Sequence, residues 1–252
     1  MTILDKIIET KKTEVANLSI DAIDVSKERT NYSLVETLAK PGLTLIAEVK
    51  HASPSKGIIY ESFNPKELAE TFEKNGAGCI SVLTDNDYFK GSNNDLKVVR
   101  ESVNLPILRK DFIIDPIQVI EAKAIGADVI LLILDILPID LANKLLSTAN
   151  DYQLDVLIEV HDNETLQKIP DLIYKDIIGI NNRNLSTFEV NPTHALEIGT
   201  QLKGQYPDIK IVAESGYQTV ASLEELEKSG IDGVLIGEGL SKNKQLLEWF
   251  KQ

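Results

Sequence analysis

Cysteine is almost absent from this sequence. Cys79 stands alone among 252 residues, which excludes any disulfide within the chain. A chain without such crosslinks fits a reducing compartment. Cys79 lies in the apolar run Cys79-Ile80-Ser81-Val82-Leu83 and reads as a small buried core residue rather than a nucleophile. Long hydrophobic runs are missing too. No stretch approaches the ~20 apolar residues of a membrane span, and Asp5, Lys6 and Glu9 interrupt any signal-peptide core. Positive charge is in deficit: 26 Lys and Arg face 39 Asp and Glu, a net charge of -13. Nucleic acid and anionic membranes both need a basic face, so neither is expected as a partner, and the acidity reads as a solvated surface. A cytoplasmic location is expected. The three histidines, His51, His161 and His194, lack metal-ligand spacing. No metal is therefore expected, and His161 reads as a loop or rim residue, with lining the site as the alternative. There is no P-loop and no nucleophile elbow. The lone tryptophan, Trp249, reads as packing for the last helix.

What the sequence does have is a repeat. Hydrophobic residues make up 43%, enough for a sizeable core. Three segments share one pattern, a glycine after a helical stretch followed by an apolar run: Gly76 to Leu83, Gly126 to Ile133 and Gly230 to Gly237. A glycine there suits the left-handed position that closes a helix. The first two glycines are 50 residues apart and the next two 104. Two and four strand–helix units fit these gaps at about 25 or 26 residues each, and eight units fill about 205 residues. That is an α/β fold, a (β/α)8 TIM barrel. Its remaining strands are expected at Leu43–Val49, Pro106–Arg109, Val156–Val160, Ile177–Ile180 and Ile209–Ala213. Each is short and almost continuously apolar, as parallel strands covered on both faces are. Helices are expected from an Asn64 cap with Pro65 and a Glu67 capping box up to Gly76, over Pro116–Ile125 and over Val220–Ser229. Ile3, Leu4, Ile7 and Ile8 have helical spacing, and Pro41-Gly42 breaks the chain before the first strand. One domain, 1–252, is expected, with an N-terminal helical extension at 1–42 and the barrel at 43–252. A doubly wound open sheet lacks support, because no G-x-G-x-x-G follows the first strand.

Charges stand where these strands stop. The first ends in Glu48-Val49-Lys50, and alternation points both charges to one side. The third ends in Arg109-Lys110-Asp111, the fifth in Glu159-Val160-His161, the sixth in Asn181-Asn182-Arg183 and the seventh in Glu214-Ser215-Gly216. The C-terminal strand ends form the active site of such barrels. A single charge there would serve as an ordinary salt bridge. Five strands bringing charges to one mouth carry a desolvation cost that points to use. Two lysines beside three glutamates supply acids and bases that shift each other's proton affinity. Ser215-Gly216 and Gly237-Glu238-Gly239 follow the seventh and eighth strands, where this fold often binds phosphate through backbone N–H groups. Glu238 can take part only through its backbone, since its carboxylate would repel the anion.

These motifs resemble those of the indole-3-glycerol phosphate synthases over nearly the whole chain. The first-strand run Ile46-Ala47-Glu48-Val49-Lys50-His51-Ala52-Ser53-Pro54-Ser55 is similar to the family signature, as are Pro106 to Phe112, Leu157 to His161, Gly179 to Leu185 and Ala213 to Gly216. His51, where a second basic Lys or Arg is common, and Gly239 depart from the family pattern. The resemblance implies a step of tryptophan biosynthesis: 1-(2-carboxyphenylamino)-1-deoxyribulose 5-phosphate closes to an indole, losing carbon dioxide and water, with no cofactor. It implies Lys110 as general acid for ring closure, Glu159 and Lys50 as base and acid for dehydration, and Glu48 as a tuning or relay group. Asn181 and Glu214 would orient the amine and the hydroxyls, and Arg183 would pair with the departing carboxylate. Pro54, Phe89, Leu185 and Ile236 would wall the aromatic ring. Ser53, Ser215, Gly216, Gly237 and Glu238 would hold the polar end. A Schiff-base lyase with Lys110 as nucleophile and a non-catalytic binder of phosphorylated metabolites are the alternatives. No protein partner is indicated.

Overall fold

The computed structural model describes residues 2–25, 30–54, 57–60, 62–183 and 189–251. Eight parallel strands close into a barrel: β1 Thr44–Val49, β2 Cys79–Leu83, β3 Ile107–Lys110, β4 Val129–Ile133, β5 Asp155–Val160, β6 Ile177–Asn181, β7 Lys210–Glu214 and β8 Gly233–Ile236. Each strand pairs with its sequence neighbours, and the ring shuts with Thr44 opposite Gly233. The expected strands are all present. β3, β6 and β7 run one residue further than their apolar stretches, to Lys110, Asn181 and Glu214. The backbone ladder does not depend on side-chain polarity: Leu83 pairs with Lys110, and Asn181 with Glu214.

Helices alternate with the strands. They are α1 Ile3–Ala16, α2 Leu34–Leu38, α3 Pro65–Lys74, α4 Asn93–Arg100, α5 Pro116–Ile125, α6 Ile139–Asp151, the single turn α7 Asn163–Leu166, α8 His194–Gln205, α9 Val220–Lys228, α10 Glu238–Lys242 and α11 Lys244–Phe250. α3 starts at the expected place, with the Asn64 side chain accepting from the Glu67 N–H, but the reciprocal Glu67 side-chain bond of the expected capping box is not made. Capping boxes stand at Thr2–Asp5 and Asp115–Gln118. The three repeat glycines, Gly76, Gly126 and Gly230, all hold positive φ, between 73° and 106°.

Period-two alternation sorts the strand residues into two cores. Leu45, Ala47, Val49, Ile107, Ile158, Val160, Ile178 and Ile180 face outward and pack under the helices. Ile46, Cys79, Leu108, Leu131, Leu157, Val212 and Leu235 face inward and fill the lumen. Cys79 is fully buried, and burial pushes its thiol above the usual range. Trp249 packs edge-on against Phe250, as expected of a packing residue.

The N-terminal extension covers both ends of the barrel. α2 plugs the floor: Leu34 and Leu38 join the lumen core. Its start is held by one carboxylate oxygen, Asp155 Oδ2, which accepts from Ser33 Oγ at 2.9 Å and from the backbone N–H groups of Leu34 at 2.6 Å and Val35 at 3.1 Å. Asp155→Ala removes all three bonds at a helix start. It is expected to lower unfolding stability by about 2 kcal/mol, read as a lower urea midpoint at unchanged slope. α1 lies at the opposite end, where the functional side chains are.

Candidate active site

The side chains at the mouth are the last inward positions of their strands. Ile46, Leu108, Leu157 and Val212 are apolar members of the lumen. Two residues further along the same faces come Glu48, Lys110, Glu159 and Glu214. Asn181 ends β6 in the same way, and Lys50 follows Glu48 on its side. The lumen thus gives way to a charged layer with no change in the folding rule.

The layer is tightly connected. Lys110 Nζ lies 3.1 Å from Glu159 Oε2 and 3.5 Å from Glu214 Oε2. Asn181 Nδ2 donates to Glu159 Oε1 at 3.1 Å, and its own Oδ1 accepts from the Arg183 N–H at 3.0 Å. Lys50 Nζ pairs with Glu48 Oε1. Glu159 and Glu214 are each 1% exposed. Gly179 makes room for this arrangement: a Cβ there would stand 2.3 Å from Glu214 Oε1.

Burial and charge compete at each group. Burial opposes the Lys110 charge, yet Glu159, Glu214 and Glu48 hold the ammonium far above the usual lysine range. Burial would raise Glu159, yet Lys110, His161 and Asn181 hold its carboxyl far below the usual range. Burial and the Glu159 charge push the Glu214 carboxyl up to about 8. The cluster thus favours the charged forms of Lys110 and Glu159 and resists ionisation of Glu214. A measurable stability effect follows. Folded Glu214 keeps a proton that the unfolded chain releases at its ordinary carboxylate value. Its contribution is therefore full below that value and is lost as pH rises to about 8. The denaturant midpoint of the wild type is expected to fall between about pH 5 and about pH 8 relative to Glu214→Gln. Parallel curves would refute the assignment.

Above the layer opens a cavity of about 810 Å³. Fifteen of the sixteen residues singled out in the sequence line it: Glu48, Lys50, Ser53, Pro54, Phe89, Lys110, Glu159, Asn181, Arg183, Glu214, Ser215, Gly216, Ile236, Gly237 and Glu238. Leu185 lies outside the described residues. Ser215 holds φ at 67° and Gly216 at 94°, so two successive residues take the left-handed form. Ser215 is a non-glycine in that sparsely populated region, a local cost that its neighbours must sustain. Asn182 supplies the support: its Nδ2 donates to Ser215 O and to Tyr217 Oη, both at 2.9 Å. The Glu238 carboxylate pairs with Lys242 at 2.5 Å.

Some contributors were not visible in the sequence. Ile3, Leu4 and Ile7 of α1 line the cavity, and Phe112 stands tilted against Phe89 at 6.1 Å between ring centroids. Helical spacing marks an apolar face but not what it covers. His161 stands in the loop just after β5, and its side chain reaches the charged layer. Its Nε2 lies 3.1 Å from Glu159 Oε1, and its side chain is 6% exposed. Alternation continued past the end of β5 carries the signal, since His161 follows Leu157 and Glu159 at the same period. Arg109, beside Lys110, faces away from the lumen and pairs with Glu121 at 2.7 Å. Among the described residues, no group of three or more His, Cys, Asp or Glu is disposed to hold a metal ion, and no helix is long and apolar enough to cross a membrane.

A closed (β/α)8 barrel with lysines and carboxylates paired at the mouth of a cavity has the form of an enzyme of the barrel class. The family model of indole-3-glycerol phosphate synthase matches residues 4–252. Proteins named indole-3-glycerol phosphate synthase are similar along nearly their whole length. The one from Exiguobacterium sibiricum is 46% identical over 243 residues, covering 96% of this chain and 93% of its own. The one from Petrotoga mobilis is 44% identical over 241 residues, covering 95% and 91%. One from Bacillus cereus is 42% identical over 250 residues, covering 99% and 97%. The chain belongs to the indole-3-glycerol phosphate synthase family, carboxy-lyases of tryptophan biosynthesis that act on a phosphorylated small molecule.

Proposed function

We propose that this cavity closes the indole ring of 1-(2-carboxyphenylamino)-1-deoxyribulose 5-phosphate, with Lys110 as the first acid. The observation that carries the reading is the Lys110 ammonium held between Glu159 and Glu214 at 3.1 and 3.5 Å. As the aromatic carbon attacks the substrate carbonyl, negative charge grows on the carbonyl oxygen, and Lys110 protonates it. Carbon dioxide leaves from the ring carbon, with Arg183 as the partner of the carboxylate until it departs. Dehydration removes a proton and expels hydroxide as water, with Glu159 as base and Lys50 as acid. Glu48, paired with Lys50, tunes or relays that proton. The substrate enters as a carboxylate and leaves as carbon dioxide, water and product, so one proton is consumed per turnover.

Binding divides along the cavity. Asn181 and Glu214 orient the amine and hydroxyl groups. Pro54, Phe89 and Ile236 flank the aromatic ring. Ser53, with Ser215, Gly216, Gly237 and Glu238 acting chiefly through backbone groups, receives the phosphate end. The chemistry calls on no cofactor. Residues 1–252 act as one cytoplasmic domain, with neither nucleic acid nor membrane as a partner. The test follows indole fluorescence when the carboxyphenylamino substrate is added to purified protein without metal. Fluorescence that grows with time and saturates with substrate is expected. A flat trace from folded protein would sink the reading.

A further inference from the structure

The Glu159 carboxylate has one oxygen, Oε2, toward Lys110 and the other, Oε1, toward both Asn181 and His161. His161 is gripped from behind. Its Nδ1 lies 2.7 Å from Asp135 Oδ2, just past the end of β4. Its backbone oxygen meets His194 Nε2 at 2.7 Å. Nδ1 is hydrogen-bonded to Asp135, whereas Nε2 lies within ion-pair distance of Glu159 Oε1 without hydrogen-bond alignment, and a cationic ring suits both carboxylates. Burial works against that charge, but the contacts with Asp135 and Glu159 outweigh it and push the imidazole up to about 10.

We infer that His161, clamped as a cation between Asp135 and Glu159, is a positioning residue that fixes the Glu159 carboxylate and shares its charge with Lys110. The inference rests on the reading of Lys110 and Glu159 as acid and base. Without a second cation, Glu159 would draw on Lys110 alone, and its Oε1 would keep only the neutral Asn181 amide. The carboxylate would turn more freely, and its proton affinity would rise. Other charged or titratable groups around this pair, among the described residues, are Glu214 on β7, Glu48 and Lys50 at the end of β1, Arg183 just after β6, and Asp162 and His194 beside His161. Lys50, the cation at the end of β1, pairs with Glu48.

The experiment compares wild type, His161→Gln and Asp135→Asn by steady-state kinetics across pH and by carbon-detected titration of the Glu159 carboxyl. In His161→Gln, kcat is expected to fall by about 10²-fold, as a misplaced catalytic group does, with KM nearly unchanged. The acid limb of kcat and the Glu159 titration should both move to higher pH. Asp135→Asn should give a smaller change in the same direction, and it decides the matter if His161→Gln does not fold. Wild-type kcat in His161→Gln overturns the inference. So does a loss of kcat with an unmoved acid limb, or a Glu159 titration that stays in place. An inactive wild type would overturn the acid–base reading instead, while the titration still decides the role of His161.

Discussion

Lys110→Ala is expected to lower turnover by about 10⁴-fold, the upper end of what one acid contributes, while the barrel stays folded. That factor corresponds to about 5 kcal/mol of barrier. Lys110 caps a lumen already filled by Leu108, Leu131 and Leu157 below it, so the truncation opens space at the cavity and not in the core. Far-UV circular dichroism should match the wild type. Glu159→Gln is expected to cost about 10²-fold or more through the later proton transfer. Near-normal turnover in both variants would sink the mechanism. Borohydride added with substrate separates the acid from a Schiff-base nucleophile. Nucleophilic attack needs a neutral amine, and the three surrounding glutamates stabilise the ammonium. No covalent adduct on Lys110 is expected, and trapping one would establish the aldolase-like route. Tight substrate binding without turnover in the wild type, seen by calorimetry, would favour a pure binder.

Lys11→Met is expected to release α1 from the mouth of the barrel. The Lys11 side chain is 2% exposed, and its ammonium lies 3.0 Å from Asp85, 2.9 Å from Asp111 and 2.7 Å from Glu14. Asp85 and Asp111 follow the ends of β2 and β3, so this cation pins the helix beside Lys110. Methionine fills similar space but leaves two buried carboxylates short of a partner, a change that costs about 3 to 5 kcal/mol. Only Ile7 and Lys11 of α1 are fully buried, so the helix can come away without unfolding the barrel. Faster amide exchange confined to α1 is expected, together with a raised KM as Ile3, Leu4 and Ile7 leave the cavity. Native exchange in α1 with an unchanged KM would refute the pinning role. Acid should weaken the same contact. Burial would raise Asp111, but Arg109 and Lys11 hold its carboxyl below the usual range. Its contribution is therefore in force above the ordinary carboxylate value and is lost as pH falls through the folded one.

The barrel was legible because its rule is local. A glycine that ends a helix and a short apolar run that follows it recur at a fixed interval, and eight such units fit the length. The strand-end charges were legible for the same reason: alternation puts Glu48, Lys110, Glu159 and Glu214 two residues beyond inward apolar positions. Arg109 and Lys110 are adjacent in sequence, and the pleat sends one outward to Glu121 and the other to Glu159. The extension was legible as helix but not as a lid and a plug. Its contacts, Lys11 with Asp85 and Ser33 with Asp155, join residues 74 and 122 positions apart.

Sequence alone settled the fold class, the strands that carry charge and the family pattern. Periodicity, helix stops and strand ends are written within a few residues of one another. Tertiary structure decided which partner each charge meets. It set Lys110 between two glutamates whose proton affinities are pushed in opposite directions, and brought the His161 side chain to Glu159. It also laid α1 across the cavity. Those outcomes depend on closing the ring, which brings β3, β5 and β7 to face one another across the lumen. Such distances no local pattern encodes, and the energy of a buried charge turns on them.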